Sequence, residues 1–198
     1  MKNRFNLLYN PEATWQEIAE KEASVTQIYV NMVLVMAAIP PVSAFIGAVY
    51  SGWRIGAGEV VKLTFHSGLQ LSVGAYIAIL IGLYLLARLI KWMAGTYGAN
   101  PALNKCFALG AYSCMPLFLA SIVSVYPLLW LDLLITLVAM AFGIRLLYTG
   151  TSILMGISKE RGFMFATSIL TVGGVLTIGA LSLTLIFWSS GLAPVFTR

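Results

Sequence analysis

Residues 105–126 read KCFALGAYSCMPLFLASIVSVY, an apolar run with Tyr112, Ser113 and Pro116 at its middle. A hydrocarbon core of roughly 30 Å is crossed by about 20 mainly apolar residues in a helix. The run is long enough, so 105–125 is predicted to cross a membrane despite its polar groups. Four more windows of similar length flank it, at 28–50, 66–90, 128–150 and 163–188. The chain of 198 residues is 60% apolar and 10% charged, where a soluble domain carries about 25% charged residues. A soluble globular protein is excluded. The expected fold is all-α: a polytopic membrane bundle of five transmembrane helices over 28–190, preceded by a polar cytoplasmic segment over 1–27 and followed by a short outer tail, 191–198.

Orientation follows from Lys and Arg near the span ends. Lys2, Arg4, Lys21, Arg88, Lys91, Lys105, Lys159 and Arg161 fall on one side; Arg54, Lys62 and Arg198 fall on the other. This asymmetry predicts a cytoplasmic N-terminus and an outer C-terminus. The net charge of +5 then reflects topology and contact with anionic lipid rather than nucleic-acid binding. The N-terminal stretch has no continuous apolar core of signal-peptide type, so span one is expected to serve as its own targeting signal.

Within that stretch, Asn10-Pro11-Glu12 reads as a helix start, with Asn as cap and Pro at the first position. Thr14 and Glu17 offer a competing capping box. Trp15, Ile18, Ala19 and Val25 recur near helical spacing, which predicts a short amphipathic helix against the bundle or the membrane. Gly52, Gly56 and Gly58 mark the loop after span one. Spans three and four are joined at Tyr126-Pro127 and are expected to form an antiparallel hairpin.

Two spans carry proline. Pro40 and Pro41 remove two amide donors from span one, so its helix must kink or break there. In GAYSCMP, Pro116 frees the carbonyl of Tyr112, which Ser113 or a neighbouring helix is expected to satisfy. Gly110 and Cys114, four apart, leave room for a close neighbour. Tyr112 is expected to point into the bundle, where its hydroxyl needs a partner. In span two, Gly74, Ala78 and Gly82 form a stripe of small residues that another helix can approach closely.

Ionisable residues inside spans are functional candidates by default. Asp132 and Arg145 in span four are about 20 Å apart along the axis and on opposite faces, so they do not pair. Each is expected near an end of its span, Asp132 and His66 at the interface and Arg145 either snorkelling or in a buried pair. Cys106 and Cys114 stand about 12 Å apart on one helix, too far for a disulfide, and match no metal-ligand spacing. There is no zinc-protease motif, phosphate-binding loop or nucleophile elbow. No catalytic, metal or cofactor site is expected.

PEATWQEIAEKE before span one, MAAIPPVSAFIG within it, GAYSCMP and YPLLW around span three, and GISKERGF before span five occur in an order that resembles the Ypt-interacting-protein (Yip) family. The similarity is greatest to its five-span bacterial inner-membrane branch. It implies five membrane helices and a cytoplasmic N-terminus. The family's G-x-Y-S-x-x-P pattern corresponds to Gly110, Tyr112, Ser113 and Pro116. Eukaryotic members bind Rab-type GTPases, but their D-L-Y-G-P signature is missing here and the N-terminal segment is shorter, so the resemblance does not carry that partner over.

Two functions follow as expectations. The favoured one is a non-enzymatic membrane protein that packs against itself, lipids or other membrane proteins, through Gly74, Ala78, Gly82 and Gly110. The alternative is a small transporter or channel, or a lipid-binding or scrambling protein, with a site among Pro40, Pro41, Tyr112, Ser113, Pro116 and Arg145.

Overall fold

The computed structural model describes residues 6–21, 23–54, 59–189 and 193–197. Lys2, Arg4 and Arg198 of the charge count, Glu22, and Gly56 and Gly58 of the outer loop lie outside the described residues. The protein is an all-α bundle with five helices long and apolar enough to cross a membrane: span one Val25–Ser51, span two Phe65–Tyr97, span three Leu103–Val125, span four Leu129–Met155 and span five Lys159–Phe187. Spans two and four run several residues past the ends expected from hydropathy, because helix geometry continues into the polar ends once capped. Span four stops at Gly156, whose positive φ of 65° ends the helix in the left-handed region.

The N-terminal helix Pro11–Glu20 begins at its proline, but Asn10 makes no side-chain cap bond. Its backbone, at φ −133° and ψ 74°, lies away from the extended geometry from which a cap side chain reaches the first amides. Thr14 does not cap either: its hydroxyl donates back to the Asn10 carbonyl at 2.8 Å. A reciprocal capping box forms instead at Ser24 and Gln27, where span one starts.

Span one is the least regular. It opens through a π-helical turn at Tyr29–Val33, breaks at Ala37 and Ala38, and restarts at Ile39 with Pro40 and Pro41 in the first turn. The break is a kink: Ala37 and Ala38 keep right-handed helical dihedrals. The Ala38 amide shifts from the Leu34 carbonyl to that of Val35, and the Tyr76 hydroxyl of span two donates to Leu34 at 3.0 Å. In the other direction, the Tyr29 hydroxyl donates to Leu80 of span two at 2.7 Å. Two tyrosines thus tie the irregular span to its neighbour with hydrogen bonds that lipid does not supply.

Span three is the centre of the bundle, with 56% of its spanning window buried, against 6% for span five. The core gathers toward the end of the bundle that holds the N-terminal helix, around Trp15, Phe107, Leu109, Ile90, Leu146 and Phe165. Tyr29 stacks on Phe107 and Tyr97 on Phe165 in the same region. Spans three and four form the hairpin, turning through Tyr126 and Pro127, and the Ser124 hydroxyl donates to Asp132 at 3.2 Å. At the far end the tail adds what hydropathy does not signal. Phe196–Thr197 pairs antiparallel with Lys62–Leu63, just before span two.

Candidate functional site

In GAYSCMP the helix Leu103–Ser113 ends, Cys114 turns the chain, and a new helix starts at Met115 with Pro116 in its first turn. This bent segment packs against both halves of the kinked span one and against span four. Close approach to span four depends on Gly143: a Cβ there would stand 2.8 Å from the Ser113 carbonyl oxygen. Seven residues on, two helical turns along the same face, Gly150 makes room for the Trp15 ring, which a Cβ would meet at 2.6 Å. Trp15 is fully buried and meets Tyr112 edge to face, with ring centroids 6.1 Å apart. The GAYSCMP face is therefore held between span four, span one and the N-terminal helix.

Ser113 does not take the role expected of it. Its hydroxyl is buried without a hydrogen-bond partner, as is the Trp15 indole N–H. The Cys114 amide bonds back to the Gly110 carbonyl at 3.1 Å, so the helix continues its ladder up to the turn and Ser113 does not serve the Tyr112 carbonyl that Pro116 leaves free. Pro41 is buried and Pro40 half-buried at the kink of span one.

Arg145 does not join this cluster. It is exposed, ten residues before the end of span four, and has no ion-pair partner among the described residues. Two residues past Gly143 means about 200° around the helix, which turns its side chain away from Ser113. His66 is exposed, Cys106 buried and Cys114 half-buried, both cysteines free. No group of three His, Cys, Asp or Glu side chains suited to a metal comes together among the described residues.

The small-residue stripe lies elsewhere. Nothing stands within 4 Å of a Cβ built on Gly74 or Gly82, and one on Gly110 would touch only Leu86. Spans two and five meet in their halves nearest the N-terminal helix, where Tyr97 stacks on Phe165 and shares a hydrogen bond with Ser168, and their other halves flank a gap. Between the separated halves lies a lateral groove of about 970 Å³. Gly74, Ala75 and Ala78 form one wall, Ala180, Leu183 and Phe187 the other, and Ala193 and Pro194 of the tail border it. The tail is fixed there by Thr64 N–H to the Val195 carbonyl and Val195 N–H to the Ser67 hydroxyl, both 3.0 Å.

The spacing of Gly143 and Gly150 carried a signal for the span-four contact that the stripe of span two overshadowed. On the far wall Ala180 and Thr184, four apart, are the small residues that line the groove.

Four apolar helices around one buried, proline-bent helix define a multi-pass helical membrane protein. The sequence model of the Yip1 domain matches residues 5–181, and the chain belongs to that family. The inner membrane protein YohC of Escherichia coli strain K12 is similar to it, 37% identical over 191 residues that cover 96% of this chain and 98% of that protein. The YohC protein of Escherichia coli O6:H1 matches to the same extent. No solved structure matches significantly. The family and relative names place the chain in no enzyme class.

Proposed function

We propose that this protein is a non-enzymatic organiser of the inner membrane, with its N-terminus in the cytoplasm, that works by lateral association through the groove between spans two and five. The observation that carries the reading is the open face of span two. Gly74 and Ala78 line the groove, and Gly74 meets no atom within 4 Å of its missing side chain. Small residues facing a gap at membrane depth let another helix, or a lipid chain, come into full van der Waals contact. The likeness to a protein named as an inner membrane protein supports the location, and the charge asymmetry supports the orientation. The transport reading draws no support from Arg145, whose exposed side chain leaves the proline-bent cluster without a charge.

Native mass spectrometry of the protein in native membrane nanodiscs tests this. Discrete dimers or a co-purifying membrane protein, lost in Ala78→Leu, are the expected result. Species unchanged by Ala78→Leu would overturn it, and a monomer that holds one lipid, released by the same substitution, would assign the groove to lipid.

A further inference from the structure

At the opposite end of span five from the groove, the N-terminal helix leaves a cleft of about 390 Å³ against spans four and five. Pockets of roughly 300–1,000 Å³ hold small ligands. Glu12 and Gln16 line it from the N-terminal helix, one turn apart and so on one face. Lys159 and Phe163, likewise one turn apart, line it from the start of span five.

The acid and the base share this cleft without neutralising each other, for the ion pair formed among the described residues is Lys21–Glu17. The hydroxyls from span four are polarised in one direction. Thr149 donates to the Arg145 carbonyl at 2.9 Å and Ser152 to the Thr149 carbonyl at 3.4 Å. Both oxygens therefore keep their lone pairs for an incoming donor. The Tyr148 hydroxyl is taken by Thr167 at 2.8 Å, so Tyr148 offers its ring, which lies 4.9 Å from that of Phe163.

The cleft thus holds two kinds of group. Glu12 with the Thr149 and Ser152 oxygens accepts hydrogen bonds, and Lys159 with the Gln16 amide donates them. Its complement is a molecule with an N–H-bearing cation and an anion a few bonds apart. We propose that this cleft binds the head group of a phospholipid that carries a primary ammonium and a phosphodiester, as ethanolamine lipids do. The ammonium meets Glu12 and the hydroxyl oxygens; the phosphate meets Lys159, next to the positive end of the span-five helix. A choline head group has no N–H for these acceptors, and a glycerol head group leaves Glu12 without a cation. The acyl chains leave along span five, where Phe163 and Met164 are 61% and 54% exposed. A soluble zwitterion makes no use of that apolar exit.

The test is native mass spectrometry of the full chain in detergent, titrated with phosphatidylethanolamine, phosphatidylcholine and phosphatidylglycerol of one acyl composition. Phosphatidylethanolamine is expected to be held about tenfold more tightly than the other two. Glu12→Gln is expected to lower its retention to that of phosphatidylcholine, and Lys159→Gln to weaken all three. Both side chains are exposed, so these variants keep the fold, which thermal unfolding checks. Equal retention of the three lipids, tighter retention of phosphatidylcholine, or a preference unchanged in both variants would overturn the proposal. Displacement of the lipid by glycerophosphoethanolamine at equal concentration would overturn the lipid as source and leave a soluble zwitterion.

Discussion

Ser113 separates two accounts of the bend in span three. If its hydroxyl satisfied the carbonyl that Pro116 frees, Ser113→Ala would cost stability. In the structure the hydroxyl is buried and unpartnered, and an unsatisfied buried polar group costs about 1–3 kcal/mol. Ser113→Ala is therefore expected to leave stability unchanged or raise it by about 1 kcal/mol, read by SDS-titrated unfolding in mixed micelles. The glycines give a second contrast. A Cβ on Gly47 would stand 1.9 Å from the backbone oxygen of Ser124, whereas one on Gly74 meets nothing within 4 Å. Gly47→Ala is expected to destabilise by about 3 kcal/mol or more and Gly74→Ala by less than about 0.5 kcal/mol in the same assay. Comparable losses would place span two inside the fold rather than beside the groove. GAYSCMP marked where span three bends, but not which atoms its carbonyls meet. Such pairing depends on the exact turn at Cys114, to which hydropathy is blind.

At the scale of elements, capping decides where the first span starts. Ser24 and Gln27 form a reciprocal box, while the Asn10 side chain caps nothing. Removing a cap serine costs about 1 kcal/mol. Ser24→Ala is expected to lose that amount and Asn10→Ala close to none, which chemical unfolding of the two variants resolves. The sequence pointed to Asn10 and to a box at Thr14 and Glu17, and not to Ser24, because a capping motif does not by itself show which helix start the chain adopts. Pro11 fixed the start of its helix because its ring and missing amide suit the first turn; Asn10 lost its role because the chain enters that turn off the extended geometry. Proline was legible in span one too, since Pro40 and Pro41 in the interior of a long apolar run force a kink there. The tyrosines that stabilise the kink, Tyr29 and Tyr76, were not legible. Their partners are carbonyls 51 and 42 residues away.

For the whole molecule, the tail binds beside the loop before span two, so both lie at one end of the bundle. Lys62→Cys with Thr197→Cys, in a chain whose Cys106 and Cys114 are replaced, is expected to form an intramolecular disulfide, seen as a mobility shift reversed by reductant. A chain that stays reduced under mild oxidant would show the tail elsewhere. The orientation proposed for this end is outside the cytoplasm. An alkaline phosphatase fused after Arg198 is then expected to be active, and a fluorescent protein fused there dark; the reverse pattern would invert the topology.

The number of spans, their approximate limits and the two proline bends were determined by the sequence itself. Each rests on local chemistry: the hydrophobicity of about 20 consecutive residues, or an amide that proline lacks. The partners of those spans were decided only by tertiary structure. In a bundle whose helices are apolar on every face, hydropathy does not distinguish a lipid-facing side from a buried one. Gly74 and Gly150 look alike in sequence, yet one faces an open groove and the other encloses a buried tryptophan. That difference arises from the splaying of spans two and five, a property of how five helices pack together.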